Sequence, residues 1–280
     1  MLKERLEWYK TKLNYSRSDT LNGIRFNVPR INGIRYRPNE RWMSEAIRGL
    51  ITYRQGVFLD CGVNTGQTLL KLKSIDPDYP YIGFEPNPAC AYYVNTLIQM
   101  NQLRECTLVP AGLAPTTGTA TLNLFDTAAH DDKASLIPER GIEVRSTRCV
   151  VTLGAEPLCH LLGERALGVV KIDVEGFELE VVETMHALIA RHHPPVLIEF
   201  LPSYSAGSKR DRRQKTIEKL FDELDYDLYR IQKTRSDELQ GLDPIETTGV
   251  QTEWSTNSDY LLAPREQKHA LSNVFAIGVV

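Results

Sequence analysis

The sequence predicts an α/β fold: a mostly parallel sheet with helices on both faces. Three observations carry that expectation. Val57-Phe58-Leu59-Asp60 is an apolar run ending in an acid, and the turn Cys61-Gly62-Val63-Asn64-Thr65-Gly66 leads at once into the helical segment Gln67–Lys73. That order reads as buried strand, tight turn and helix start. Further apolar strands follow, alternating with helical segments, as crossover connections in a parallel sheet require. Four strand ends carry acids, at Asp60, Glu85, Asp173 and Glu199. Open α/β sheets hold their ligands at those carboxyl ends.

Composition narrows the class. A chain of 280 residues can bury a sizeable core, and 42% hydrophobic with 25% charged residues is ordinary for a soluble globular protein. A formal charge of −3 argues against nucleic acid as the main partner. The five cysteines, Cys61, Cys90, Cys106, Cys149 and Cys159, form no C-x-x-C pair. Reduced thiols in a cytoplasmic setting are therefore expected, not a disulfide frame or a zinc site. Met1-Leu2-Lys3-Glu4-Arg5 does not open a signal peptide, and no apolar run is long enough to span a membrane.

Residues 1–50 are expected to form an arm and residues 51–280 the main domain. In the arm, Leu2, Leu6, Tyr9 and Leu13 share one helical face, suited to docking or to a homodimer contact. Two short strands, Ile24–Val28 and Ile34–Arg37, are expected to join through a turn over Pro29–Gly33, and a helix to run over Asn39–Leu50. Residues 1–56 hold 12 Lys and Arg against 5 Asp and Glu, a net +7, so the rest of the chain carries −10 of the total −3. Arg25, Arg35 and Arg37 read either as a basic lip attracting an anionic acceptor, such as a phosphorylated or acidic sugar, or as a solvated face.

In the main domain, Gly62 and Gly66 let backbone approach a ligand closely, and the helix start behind them offers free N–H groups. Three glycines spaced G-x-G-x-x-G, the dinucleotide fingerprint, are not present. The spacing D-x-G-x-x-x-G fits instead the methyl-donor loop of S-adenosylmethionine (SAM) enzymes; a plain strand–helix turn is the alternative. Asp60 would accept from a ligand donor or hold the turn's amides. Tyr81-Ile82-Gly83-Phe84 ends at Glu85, 25 positions after Asp60, where one βαβ unit places an acid for a ribose diol. Its alternative is a cap on the helix Ala89–Asn101. Cys106–Leu113 reads as a third strand, with Ala111 and Gly112 leaving room for a flat adenine. Thr119–Phe125 and Cys149–Leu153 read as further strands, with a lid over Asp126–Gly141 between them. His130 in that lid could act as a base, though a loop histidine more often simply faces solvent. The stretch Val169–Glu178 carries Lys171 and Asp173 on one face, two positions apart, and buried charges need partners. Asp173, Glu175 and Glu199 are the candidate bases. Lys209–Leu224 reads as a helix, Tyr226–Ile231 and Ser258–Ala263 as closing strands, and residues 232–257 as a loop.

Asp60-Cys61-Gly62-Val63-Asn64-Thr65-Gly66, Phe84-Glu85-Pro86-Asn87-Pro88 and Lys171-Ile172-Asp173-Val174-Glu175-Gly176-Phe177-Glu178 together resemble the FkbM family of SAM-dependent methyltransferases. The resemblance covers roughly residues 55–200 and departs at Cys61, Val63 and Gly154-Ala155. It implies the Rossmann-like class I methyltransferase fold: a seven-stranded mixed sheet of order 3-2-1-4-5-7-6 with strand 7 antiparallel. It also implies O-methylation of a sugar, glycan or polyketide-type hydroxyl. SAM would then lie against Asp60, Gly62, Asn64, Thr65, Gly66, Glu85, Asn87, Ala111 and Gly112, with Asp173, Glu199, Glu175 or His130 taking the acceptor's proton. The acids permit a divalent metal, but none is expected. A non-catalytic SAM-binding or scaffold protein is the rival class. The N/D/S-P-P-Y/F/W signature of amino-group methylation is missing, since Pro194-Pro195 is followed by Val196.

Overall fold

The computed structural model describes residues 15–126, 131, 133–137, 143–250 and 258–278. The helix expected at Leu2–Leu13 and the candidate base His130 lie outside them. Three strands open the described chain: β1 (Tyr15–Leu21), β2 (Ile24–Ile31) and β3 (Ile34–Arg35), paired antiparallel. Asn22-Gly23 and Asn32-Gly33 make the turns, with φ of 50°, 80°, 50° and 85°. Two-residue hairpins with type I′ turns need positive φ at both positions, which Asn-Gly supplies. The expected turn over Pro29–Gly33 is thus shorter, and Tyr15–Leu21 is an unforeseen strand.

Helix α1 (Arg41–Tyr53) follows. Its first amides are satisfied from far along the chain: Arg41 N donates to Asp237 Oδ2 at 2.9 Å and Trp42 N to Asp237 O at 2.8 Å. Glu40, at the N-cap position, has a left-handed backbone (φ 49°, ψ 60°) and makes no cap with its side chain.

Next come β4 (Val57–Cys61), α2 (Gln67–Ile75), β5 (Tyr81–Phe84), α3 (Pro88–Met100), β6 (Cys106–Val109), β7 (Gly112–Leu113), β8 (Gly118–Leu124), β9 (Ser146–Leu153) and α4 (Ala155–Leu162). Then follow β10 (Leu167–Ile172), α5 (Glu178–His192), β11 (Val196–Glu199), α6 (Lys209–Asp222), β12 (Tyr226–Lys233), β13 (Leu239–Ile245), β14 (Asp259–Pro264) and α7 (Lys268–Ser272). The main sheet runs β6-β5-β4-β10-β11-β14-β12-β13. β6 to β11 are parallel, while β14 is antiparallel to both β11 and β12. Seven of these strands follow the expected order. The eighth, β13, pairs along the edge of β12 where a loop over 232–257 was expected. Cys106–Leu113 is broken after Val109, and β7, β8 and β9 form a separate small sheet over the cleft side.

The sheet is buried on both faces, which explains its apolar runs. Phe58, Val169, Leu197 and Leu261 face α1, α2 and α3, and the arm's Phe26, Val28 and Ile34 join that same core. Leu59, Val170, Ile172 and Ile198 face the other way, towards α5 and α6. Alternate strand residues take opposite faces, so Asp60 and Lys171 fall within the α1–α2 side. No helix among the described residues is long and apolar enough to cross a membrane.

Asp237→Ala removes the borrowed cap from α1. It is expected to cost about 1 kcal/mol, read as a lower urea midpoint with an unchanged slope. Asp237→Asn keeps an acceptor and suits the left-handed φ of 61° there, so it retains most of that stability.

Candidate functional site

The site is built on a buried charge group. β4 and β10 are neighbours, and Lys171 is registered beside Asp60. Lys171 Nζ lies 3.0 Å from Asp173 Oδ2 and 3.6 Å from Asp60 Oδ1. It also donates to Gly62 O at 3.5 Å. Tyr81 Oη donates to Asp60 Oδ2 at 2.8 Å. Gly83, registered opposite Asp60, makes this reach feasible, because a Cβ there would lie 2.6 Å from the Tyr81 hydroxyl. Burial acts to lower the Lys171 pKa, but Asp173 and then Asp60 outweigh it and the net shift is upward. One lysine cannot offset two acids fully: burial leaves Asp60 raised despite Lys171 and Tyr81.

Above this group is a cavity of about 450 Å³ at the carboxyl ends of β4, β5, β10 and β11. Its floor is the glycine turn. A Cβ on Gly62 would sit 1.8 Å from Asp173 O, and Gly62 has φ +89°. No side chain fits between the turn and the tip of β10. Glu85 stands on the next wall, 5% exposed. Asn64 N and Asn87 N each donate to its carboxylate at 2.7 Å. Burial raises its pKa to about 7 against the pull of those two amides. The helix-cap role open to Glu85 belongs to Asn87, whose Oδ1 accepts from Ala89 N at 3.1 Å. Arg148 of β9 donates to the same oxygen and ties the small sheet to the cleft. Gly112, Leu113, Leu122 and Leu136 line an apolar portion of the same cavity.

The other wall is acidic. Carboxylate oxygens of Asp173, Glu175 and Glu199 lie within 4.8 Å of one another. Such spacing could hold a hard divalent cation. Ser258 Oγ donates to Glu199 Oε1 at 2.9 Å. Burial, then the charges of Asp173, Asp259 and Glu175, push Glu199 up to about 10. The direction favours the protonated form of Glu199 over the carboxylate. Arg35, Arg37 and Glu40 line the cavity from the arm, whereas Arg25 does not.

Gly62, Asn64, Thr65, Glu85, Asn87, Gly112, Asp173, Glu175 and Glu199 all line this one cavity. Three candidates do not. Asp60 is turned into the sheet by Tyr81 and Lys171. Gly66 ends the turn with φ +83° and faces Leu97 of α3. Ala111 is buried outside the lining. Sequence reasoning missed Tyr81, Arg148 and Glu40. Tyr81 had a signal, a tyrosine two positions before Gly83 on one strand face. Arg148 and Glu40 had none, because their partners come from distant elements.

A buried lysine–carboxylate pair, a glycine-floored cleft and acids at parallel strand tips define a class: an α/β protein with a cavity at the carboxyl ends of its central parallel strands. The Methyltransferase FkbM domain family model matches residues 60–228, well over half of the chain, and the chain belongs to that family. No curated protein matches it in sequence. Among solved structures it is similar to a methyltransferase FkbM from Methylobacillus flagellatus KT, at 14% identity and a TM-score of 0.45. That match covers 74% of this chain and 43% of the other, so the chain spans less than half of that protein's length. An O-methyltransferase from Bacillus cereus, determined in complex with SAH, is similar over 79% of each chain, at 8% identity and a TM-score of 0.46.

A raised carboxyl pKa means the folded state holds its proton longer than the unfolded one. The Glu85 contribution to stability is therefore present in acid and lost as pH rises from about 4.5 to about 7. Without ligand, Glu85→Gln should flatten the fall in denaturation midpoint across that window relative to the wild type.

Proposed function

We propose that the cavity binds S-adenosylmethionine and that the protein transfers its methyl group to a hydroxyl of a sugar, glycan or polyketide-type molecule. The observation that carries this reading is the convergence of Gly62, Glu85, Asp173 and Glu199 on one cavity. The residues present fit the donor. Gly62 lines the cavity with backbone alone. A carboxylate has about four acceptor sites, and two on Glu85 are taken by amides, which leaves acceptors for a ribose diol. The apolar lining at Leu113, Leu122 and Leu136 suits a flat base.

When bound, the donor supplies an already activated methyl group for in-line displacement. The chain's task is then to orient the hydroxyl and take its proton. Two carboxyls in one site with different protonation divide the roles. Glu199 keeps its proton and can donate a hydrogen bond to the acceptor. Asp173, paired with Lys171, accepts the hydroxyl proton, and Glu175 lies beside both. A proton held within the cluster already eases the repulsion among its acids, so no metal is required in this reading.

Asp173→Asn should lower turnover by about 100-fold or more, the scale of general-base catalysis. It should weaken donor affinity far less than turnover, since Asp173 is not assigned to donor binding. Release of S-adenosylhomocysteine and calorimetry measure the two quantities. Glu199→Gln keeps a neutral hydrogen-bonding group and should be much milder. A chelator should leave turnover unchanged; loss restored by Mg²⁺ would assign the cluster to a metal instead.

A further inference from the structure

We infer that the arm segment Arg35–Glu40 recognises the amino-acid head of the methyl donor, with Glu40 receiving its ammonium group. This rests on the donor-binding reading above. An ammonium entering a partly enclosed cavity needs an anionic partner. Asp60, the acid of the glycine turn, cannot serve: it is fully buried, bonded to Tyr81, close to Lys171 and absent from the lining.

The other lining acids are engaged elsewhere. Glu85 holds two backbone amides. Asp131 accepts from the amides of Phe125, Asp126 and Lys133. Asp173, Glu175 and Glu199 form the far cluster, where the acceptor hydroxyl would stand.

Glu40 differs from all of these. Its left-handed backbone is costly for a residue with a side chain, about 1–3 kcal/mol, and persists only where its surroundings enforce it. Helix α1 does not need its carboxylate, because Asp237 caps that end. Its nearest cation is Lys71, with Nζ 3.6 Å away and a side chain only 1% exposed. That is too long for a hydrogen bond, and Lys71 Nζ is a buried donor without a hydrogen-bond partner among the described residues. Burial holds the Lys71 pKa below the usual lysine range despite Glu40, which weakens its hold on the Glu40 carboxylate. Arg35 and Arg37 line the same cavity from the same segment. Six consecutive residues thereby present an anion and two cations, the complement of an α-amino acid.

The test compares two nucleosides by calorimetry. S-Adenosylhomocysteine carries the amino-acid head, and 5′-methylthioadenosine lacks it. Glu40→Ala should weaken S-adenosylhomocysteine at least tenfold and leave 5′-methylthioadenosine within twofold; Glu40→Gln, which removes the charge, should also weaken S-adenosylhomocysteine and leave 5′-methylthioadenosine within twofold. Binding of 5′-methylthioadenosine also reports that the variant is folded. Unchanged affinity for S-adenosylhomocysteine overturns the inference, and so does an equal loss for both nucleosides. If the wild-type protein binds neither, the donor reading falls and takes this inference with it.

Discussion

Lys171 stands between Asp60 and Asp173 with almost no contact with water, and the geometry of the cleft follows from that placement. Breaking a buried pair by removing one partner costs on the order of 3–5 kcal/mol. A domain's net stability is only about 5–15 kcal/mol. The group therefore fixes the register of β4 against β10 as firmly as any apolar contact in the sheet. That register brings Asp173 O to where a Cβ on Gly62 would lie. The bare turn above it and the charged group below it are two results of one constraint.

The cavity is electrically divided. Around Glu85 the lining is apolar, and the carboxylate is steadied by backbone amides. Around Asp173, Glu175 and Glu199 there are more negative groups than nearby cations, and burial with those charges raises the Glu199 pKa. Glu199 and Asp173 lie at the ends of neighbouring strands and are chemically alike, yet Ser258 touches one and Lys171 the other. Their different partners give them different chemistry within one wall.

Much of this was legible in the sequence. The strand tips at Asp60, Glu85, Asp173 and Glu199 could be found because an acid ending an apolar run is a local pattern, and the four strands β4, β5, β10 and β11 fell where that pattern put them. What escaped depends on contacts between distant segments. Asp60 looks like a ligand residue in one dimension, and only the register with Tyr81 and Lys171 turns it inward. The edge strand Leu239–Ile245 has little strand signature of its own and forms because β12 offers an unpaired edge. The strand Tyr15–Leu21 was missed because its polar residues carry no alternation, although Asn22-Gly23 announces the turn that follows it. Glu40 gave no signal, since a left-handed backbone at glutamate is imposed by tertiary packing.

The borrowed cap on α1 has a consequence for where the protein's boundaries should be drawn. The family match runs over residues 60–228, which includes the floor of the cleft. Both Glu40 and Asp237 fall outside it. A fragment trimmed to the shared span would keep the pocket's base and discard its rim, together with the fastener at the opposite sheet margin that secures the rim. Relatives that diverge in these flanking pieces can therefore reshape the doorway while inheriting the same hearth.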